Sequence, residues 1–490
     1  MINKIVILGG GSAGWMTAAA LSNAFGKTKQ IVLVESDAIG TVGVGEATIP
    51  LIESFNTLLG IKEQDFLSYT NGTFKLGIKF ENWGGQGESY IHPFGIPGKD
   101  SWMANFQHFW LRGQQLGVAK AYSDYSINIR AAEAQKFAKD SAAGLAYAYH
   151  FDAGLYAKLL RTYSEPKGVK RVEGKVQDVQ VDTTTGYIQE LKLGSGEVIS
   201  GDLFIDCSGF AALLSEKTLN TEFEDWSHWL PCDRAWAVQT DLVEKPAPYT
   251  RSIAHAAGWQ WRIPLQHRMG NGCVFSSRYM SEEKARELLV GSVEGGLRTE
   301  PRLVKFKTGR SVKQWNKNCV SIGLASGFLE PLESTSLHLI QSAVTRLIRM
   351  LPADEIQQPI VDEYNRQSKF EYETIRDFII LHSCVTSRTE SDFWNYCRTM
   401  DLPQTLQNRI DIYKHNPSVF REHDELFHEG SWQAVMLGQG LQPKTYHPVV
   451  NELSEAELVR FLQSIDNGIS QRVAQYPSHT DFIKNYCPSN

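Results

Sequence analysis

Three glycines near the N-terminus have the spacing of a phosphate-binding turn. Gly9, Gly11 and Gly14 follow an apolar strand-like segment and open a run of small residues that predicts a helix. Glycine lets a backbone approach a pyrophosphate closely, and the helix start supplies free N–H groups. Glu35 ends the next predicted strand, where a carboxylate can accept hydrogen bonds from ribose hydroxyls. The segment predicts a dinucleotide site and leaves FAD and NAD both open.

A second candidate site lies at the start of a helix late in the chain. Glu333 precedes Ser334 and Thr335, and apolar residues then recur at helical spacing as far as Leu351. A helix N-terminus presents unpaired N–H groups and the positive end of the helix dipole, so this start predicts an anion site. The alternative is an ordinary capping hydroxyl beside a solvated carboxylate.

Two lysines lie close together in the segment FKLGIKF at residues 74–80. The alternation of a strand predicts Lys75, Gly77 and Lys79 on one face. An amine can donate to an oxidant or react with it, and burial can tune its pKa. A surface lysine on a half-buried strand is the alternative.

Two aromatic pairs also have informative spacing. Trp259 and Trp261 are two residues apart on a predicted strand and so face one side, which ordinarily means core packing. His92 and Phe94 could hold a flat aromatic molecule by stacking, although a structural histidine is an equal alternative.

The elements that must position these residues predict a mixed α/β fold. A strand–turn–helix–strand unit opens the chain, and a second set of strands at residues 168–199 leads into an apolar strand that ends at Asp206 in a small glycine-containing turn. In flavoproteins of the hydroxylase type the chain returns to the cofactor through such a strand and turn, so this segment favours FAD. No second GxGxxG fingerprint follows, so we expect reduced flavin to come from a separate reductase.

We therefore expect an FAD-binding, Rossmann-like domain of the flavin monooxygenase type fused to a mostly helical substrate-binding module. Residues 1–350 form the FAD module, with its core at about 1–50, 160–220 and 305–350. Insertions at about 51–159 and 221–304, together with the helical residues 351–490, form the substrate module.

Composition narrows the class of protein. With 490 residues and a 42% apolar share, the chain can bury a large core, as a globular enzyme does. A net charge of −6 without basic runs argues against a nucleic-acid or membrane partner. The seven cysteines are scattered without CxxC spacing, so we expect reduced thiols, no metal and a cytoplasmic location. No segment predicts a signal peptide or a membrane span.

Four motifs, in the same order along the chain, resemble those of one enzyme family. GGGSAGW at residues 9–15, VGEATIP at 44–50, WQWRIP at 259–264 and NCVSIGLASGFLEPLEST at 318–335 resemble the flavin-dependent tryptophan halogenases. The resemblance extends to about residue 440. It implies that reduced FAD, oxygen and chloride or bromide give hypohalous acid, which halogenates an electron-rich aromatic compound.

The resemblance also implies roles for individual residues. Lys79 matches the catalytic lysine, with Lys75 as the nearest competitor, and Glu333 polarises the oxidant or removes the proton from the ring. Thr335 and Ser336 match the halide-binding positions, although many members have glycine in place of Ser336. The resemblance further implies that His92 and Phe94 contact the substrate and that Trp259 and Trp261 lie near the flavin. The residues it implies for cofactor binding are Gly9, Gly10, Gly11, Ser12, Ala13, Gly14, Glu35, Ser36, Ile39, Glu46, Ala47, Val176, Asp206, Leu324 and Leu337.

Substrate and reaction class stay open in part. The family's loop that clamps the amino-acid part of tryptophan is poorly matched at residues 438–448, so indole is a candidate beside tryptophan. The main alternative is an aromatic monooxygenase on the same fold, but its GDAAH-type segment reads IGLAS at 322–326 and no Asp-Gly pair is present. A flavoprotein that binds FAD without a small-molecule reaction is the third reading. Homodimers are common in the family, but the sequence carries no interface signature.

Overall fold

The computed structural model describes residues 2–40, 46–101 and 104–489. The first two residues of the VGEATIP motif, Val44 and Gly45, lie outside these ranges. The strands are β1 (Lys4–Leu8), β2 (Gln30–Glu35), β3 (Glu46–Ala47), β4 (Thr73–Lys75), β5 (Gly77–Glu81), β6 (Ser89–Pro93), β7 (Ala148–Phe151), β8 (Val169–Glu173), β9 (Val176–Val181), β10 (Ile188–Leu193), β11 (Val198–Ser200), β12 (Leu203–Asp206), β13 (Phe223–Asp225), β14 (Arg234–Thr240), β15 (Thr250–His255), β16 (Gly258–Pro264), β17 (Met269–Phe275), β18 (Arg302–Lys305), β19 (Gly309–Ser311), β20 (Trp315–Asn316), β21 (Cys319–Ser321) and β22 (Gly327–Phe328). The α-helices are α1 (Ser12–Phe25), α2 (Leu51–Leu58), α3 (Glu63–Tyr69), α4 (Phe106–Gln115), α5 (Ile127–Glu133), α6 (Ala153–Ser164), α7 (Glu282–Ser292), α8 (Ser336–Met350), α9 (Gln358–Cys384), α10 (Asp392–Thr399), α11 (Gln404–His415), α12 (Glu429–Gly438), α13 (Glu455–Gln475) and α14 (His479–Tyr486).

A largely parallel sheet forms the centre of the nucleotide-binding part. Its order is β20-β21-β12-β1-β2-β8, and the pairs from β21 to β8 are parallel. The strands β1, β2 and β12 are almost wholly buried and rich in β-branched residues, as strands covered on both faces are. Helix α1 packs against α6 and α8. The glycine turn lies between the carboxyl end of β1 and the start of α1.

A second, mostly antiparallel sheet adjoins this part. Its order is β18-β14-β17-β16-β15-β5-β6, and one face packs on helices of residues 351–490 around a core that includes Trp226, Trp259, Trp394 and Trp432. Most of this sheet comes from residues 221–304, so that insertion is largely strand. The prediction of a mostly helical substrate module did not include this sheet, and the described residues after 351 contain helices α9 to α14.

A small sheet, β3-β7-β4, connects the two parts. Strand β4 pairs with β7, whereas β5 pairs with β6 and β15, so the chain leaves one sheet at Leu76 and enters another. The backbone N–H of Leu76 donates to the Pro248 carbonyl at 2.7 Å, outside either strand pairing. Residues 75 and 79 therefore do not belong to one continuous strand.

The mixed α/β fold class is confirmed by these parallel and antiparallel sheets and their helices. Within residues 2–40, 46–101 and 104–489, none of the helices combines the length and the apolar character needed to cross a membrane.

Candidate active site

The glycine turn forms a cradle with room for a pyrophosphate. Gly9 has a φ of +116°, and a Cβ there would lie 2.1 Å from the Cys207 carbonyl oxygen. Gly11 is the N-cap of α1 without a side-chain cap, and a Cβ on it would meet nothing within 4 Å. Ser12, Ala13 and Gly14 form the first turn of α1, whose N–H groups point into this space. The residues present therefore fit a dinucleotide phosphate group.

Glu35 lies beside this cradle at the end of β2. An ideal Cβ on Gly10 would overlap Glu35 Oε2 at 1.4 Å, so only glycine fits between the turn and the carboxylate. The other oxygen, Oε1, accepts from Nε of Arg171. Arg171 also binds Asp37 and Glu173. Arg171 thus fixes one oxygen of Glu35 and leaves the other beside the cradle.

The other predicted cofactor positions lie on several elements. The turn at residues 323–325, which holds Leu324, packs on Ala13: a Cβ on Gly323 would lie 2.8 Å from the Ala13 Cβ. Val176 begins β9 just after Gly174, whose N–H donates to the Glu35 carbonyl. The others are Ser36 and the exposed Ile39 after β2, Glu46 and Ala47 in β3, and Leu337, which is buried in the core around α1.

Asp206 does not have a side chain available for the cofactor. Its Oδ1 accepts from Ser208, and its Oδ2 accepts from the backbone N–H groups of Leu214 and Ser215. The side chain is fully buried. This carboxylate therefore holds the turn that follows β12, and the predicted cofactor contact of Asp206 would have to come from its backbone.

Lys75 is a buried amine in the middle of the protein. Its Nζ donates to the Thr48 carbonyl at 3.0 Å and to Ser334 Oγ at 2.8 Å, and it lies 5.1 Å from the centre of the Phe94 ring. The side chain is fully buried. Burial lowers the pKa of Lys75 to about 7, against a smaller opposing effect of Glu333. At neutral pH this amine can therefore exist with and without its extra proton.

Lys79 does not lie with Lys75 and Ser334. In β5 it pairs with Ile91 and Arg251, while Ile78 pairs with His92, so Lys79 and His92 project to opposite faces of the sheet. Since His92 contacts Glu333, the Lys79 side chain lies on the side of the sheet away from that carboxylate. The prediction that Lys79 acts with Glu333 is wrong: the resemblance assigned the catalytic role to the second of the two lysines, and strand alternation, which put both on one face, does not hold across the break at Leu76.

Glu333 is held between two histidines. Its Oε2 lies 2.9 Å from His92 Nδ1, at hydrogen-bond geometry. Its Oε1 lies 2.7 Å from His382 Nε2, but the angle of this contact is not that of a hydrogen bond. The carboxylate is fully buried, and its histidines are 2% and 0% exposed. Burial alone would raise the pKa of Glu333, but the histidines outweigh it and lower the pKa to about 2.

Helix α8, whose start is the predicted anion site, begins two residues later than expected. Residues Pro331–Glu333 form a short 3-10 turn, Ser334 has a φ of +59°, and α8 begins at Ser336. Thr335 is the N-cap and is 1% exposed, and its buried Oγ1 has no hydrogen-bond partner among the residues that the structure describes. An unpaired hydroxyl beside free helix N–H groups is suited to an anion.

The aromatic pairs take different positions. Trp259 and Trp261 are buried on β16 with ring centres 6.1 Å apart, in the core packing that their spacing favours. Trp259 Nε1 donates to Glu330 Oε2 at 2.8 Å. Burial raises the pKa of Glu330 to about 7, while the hydrogen bonds of Trp259 and Cys232 lower it in part. Glu330 is thus a second buried carboxyl, separate from Glu333.

His92 borders an aromatic cluster that sequence reasoning missed. Its ring centre lies 5.5 Å from that of Phe378 and 6.3 Å from that of Phe427, and these two phenyl rings stack at 3.8 Å. His382, Phe378 and Phe427 come from α9 and from the loop before α12. No local signal distinguishes them from core residues of amphipathic helices, so only the tertiary structure brings them to Glu333.

Comparisons with known proteins agree on one family. The tryptophan halogenase family model matches residues 4–455. The chain is 36% identical to tryptophan 6-halogenase SttH of Streptomyces toxytricini, over 89% of each chain. Among structures, a flavin-dependent halogenase from Xanthomonas campestris is 48% identical with a TM-score of 0.98, covering 100% of this chain and 99% of that one. BrvH, a flavin-dependent halogenase from Brevundimonas sp. BAL3, is 43% identical with a TM-score of 0.96, covering 100% of both. The predicted resemblance is confirmed, and the aromatic hydroxylase alternative is not favoured.

Proposed function

This chain belongs to the tryptophan halogenase family and is a flavin-dependent halogenase, and we propose that it uses Lys75 and Glu333 to halogenate an indole-like aromatic substrate. The observation that carries the proposal is the joint burial of the two groups. Lys75 Nζ donates to the side chain of Ser334, the residue that follows Glu333. The amine and the carboxylate are thus buried in the same region, and the charge of Glu333 acts on the pKa of Lys75.

Lys75 takes the role that the sequence assigned to Lys79. A lowered pKa leaves part of the amine neutral near pH 7, so its nitrogen can accept from hypohalous acid or react with it. The Phe94 ring and the Ser334 hydroxyl fix the position of the nitrogen. Lys75 then presents the halogen to a substrate held beside Phe94 and His92.

The cofactor and the halide have separate places. The turn at residues 9–14 and Glu35 would hold FAD, and bound reduced FAD with oxygen supplies the oxidising equivalents that convert halide to hypohalous acid. Thr335 and Ser336 would hold the halide at the start of α8, where an unpaired hydroxyl and helix N–H groups face it. Such an arrangement keeps the aromatic substrate away from the flavin and lets orientation choose the carbon attacked.

Glu333 acts on the substrate carbon. Its carboxylate, buried between His92 and His382, can accept the proton that the ring loses when halogen is added. Phe94, Phe378 and Phe427 supply aromatic surface for a flat substrate. Indole is favoured over tryptophan, because residues 438–448 match the family's amino-acid clamp poorly.

Three further proposals concern partners and location. A separate reductase supplies the reduced flavin, since a single dinucleotide fingerprint is found in the sequence. All seven cysteines are buried unpaired thiols, which suits a reducing, cytoplasmic environment. A homo-oligomer is also proposed, and light scattering at several protein concentrations tests it.

The reaction is tested by mass spectrometry. The protein is incubated with FAD, a flavin reductase, NADH, and bromide or chloride, with indole or tryptophan as substrate. A halogenated product that Lys75→Met abolishes and Lys79→Met retains would support the proposal. Hydroxylated product alone, or halogenation that survives Lys75→Met, would contradict it.

A further inference from the structure

Strand β4, which carries Lys75, is the edge strand of a small sheet. The sheet order is β3-β7-β4, and β4 pairs with β7. The backbone N–H of Phe74, the residue before Lys75, donates to the ring nitrogen Nε2 of His479 at 3.2 Å. His479 is the first residue of α14 and is 1% exposed. A side chain of the C-terminal helix therefore binds the backbone of the edge strand next to Lys75.

Both ring nitrogens of His479 have a defined role. Since Nε2 accepts from the Phe74 N–H, it carries a lone pair. Nδ1 lies 2.8 Å from the Pro246 carbonyl oxygen, which can only accept, so Nδ1 carries the proton. The ring is thus neutral, in agreement with its burial, which lowers the pKa of His479 to about 4. At neutral pH His479 therefore keeps one donor and one acceptor in place.

The other end of α14 contacts the same strand segment. Gln266 Nε2 donates to the Gly72 carbonyl at 2.7 Å and to the carbonyl of Cys487, the residue after α14, at 2.9 Å. Between these two ends, the ring of Phe74 packs on Phe482 of α14 with the ring centres 5.3 Å apart. The backbone that leads into Lys75 is thus held against both ends of α14.

We propose that α14 is the element that positions the amine of Lys75, with His479 as the positioning residue. The inference rests on the proposed function, in which Lys75 Nζ receives hypohalous acid and presents the halogen to the substrate. Ser334 Oγ and the Thr48 carbonyl hold Nζ itself, whereas α14 holds the backbone that bears it. Without the His479 acceptor the edge strand can shift, and a displacement of about 1 Å at a reacting group can cost on the order of 100-fold in rate.

The fate of the halogen tests this position. His479→Leu removes the acceptor of the Phe74 N–H, whereas His479→Gln keeps an acceptor near the place of Nε2. The protein loaded with FAD is supplied with a flavin reductase, NADH, bromide and indole, with and without monochlorodimedone as a scavenger of free hypohalous acid. We expect His479→Leu to lower kcat for haloindole on the order of 100-fold at an unchanged KM for indole, and to raise the share of halogen that the scavenger takes. His479→Gln should restore both. An unchanged share in His479→Leu, or an equal change in the two variants, overturns the proposal.

Unfolding supplies a readout without turnover. Burial lowers the pKa of Lys75 to about 7, so the wild-type free energy of unfolding rises between pH 7 and pH 9. We expect His479→Leu to lose part of this rise, because a shifted strand lets water reach the amine.

His108→Leu is the matched control for the unfolding measurement. His108 also accepts a backbone N–H, from His447 at 2.9 Å, and burial lowers its pKa to about 4 as well. Neither histidine titrates in the folded protein between pH 7 and pH 9, so a change in the rise reports on Lys75. An equal rise in His479→Leu and the wild type, or the same loss in His108→Leu, would mean that His479 has a packing role only.

The two readouts separate this inference from the proposed function. If the wild-type protein halogenates neither indole nor tryptophan, the proposed function fails, and the unfolding curves still decide whether α14 positions Lys75. Should His479→Leu fail to fold, Gln266→Leu removes the contact at the other end of α14. Both readouts should then change in the same direction as expected for His479→Leu, and wild-type values in Gln266→Leu would overturn the proposal.

Discussion

Replacing Lys75 with methionine should remove activity and at the same time change how stability depends on pH. Methionine has a similar length but cannot ionise. In the folded protein the pKa of Lys75 is lowered from 10.5 to about 7 by burial, whereas the unfolded chain keeps the ordinary value. Between these two pH values the unfolded state binds more protons. The wild-type free energy of unfolding must therefore rise with pH across this range.

The size of the effect follows from the pKa difference. Each pKa unit corresponds to about 1.4 kcal/mol, and Lys75 in the folded state is already half titrated at pH 7. From pH 7 to pH 9 the wild-type protein should therefore gain about 2 kcal/mol relative to Lys75→Met. Methionine also leaves the Thr48 carbonyl and the Ser334 hydroxyl without their donor, which costs about 1–3 kcal/mol each at every pH. Because this cost does not change with pH, the pH-dependent part of the difference in free energy of unfolding can be measured separately.

Urea unfolding at pH 7, 8 and 9 measures the difference directly. Lys79→Met is the matched control, since Lys79 lies on the other face of β5 and should give a curve parallel to the wild type. Halogenation assays on the same three proteins should show loss in Lys75→Met alone. Parallel unfolding curves for wild type and Lys75→Met would refute the buried, neutral amine. Loss of activity in Lys79→Met with activity kept in Lys75→Met would restore the original assignment.

Three other substitutions test separate parts of the site. Gly11→Ala should weaken FAD binding measured by flavin fluorescence while Tm is unchanged, because its Cβ would enter only open space in the cradle; unchanged FAD affinity would place the cofactor elsewhere. Thr335→Val should raise the KM for halide without changing that for indole, and an unaltered halide KM would remove the anion site from the start of α8. Trp259→Phe should cost about 1–3 kcal/mol in unfolding because it leaves the buried Glu330 without its indole donor, and a cost near zero would show that this hydrogen bond is not needed.

The nucleotide cradle could be predicted because it is local. The glycines, the start of α1 and Glu35 lie within one strand–turn–helix–strand unit, and their roles depend on short-range backbone geometry. The helix start at α8, where an anion site is proposed, could be predicted for the same reason. Its unpaired N–H groups are a property of any helix end, so the prediction was off by only two residues.

The resemblance assigned the catalytic role to Lys79, and strand alternation could not correct it, because alternation is valid only within one strand and placed both lysines on one face. At Leu76 the chain changes sheets, which a pattern of apolar and polar residues does not reveal. The role of the Asp206 side chain was not visible for a related reason, since its partners come from the turn at residues 208–215 and form no sequence pattern.

The sequence by itself determined the family, the fold class and the parts of the site built from neighbouring residues. The tertiary structure alone decided which lysine meets Glu333 and placed His382, Phe378 and Phe427 around it. Those contacts join residues that are far apart in the chain, such as Lys75 and Ser334 at 259 positions, through sheet pairing and helix packing that no short pattern encodes. A buried charge also acquires its pKa from everything that surrounds it, so the chemistry of Lys75 exists only in the folded protein.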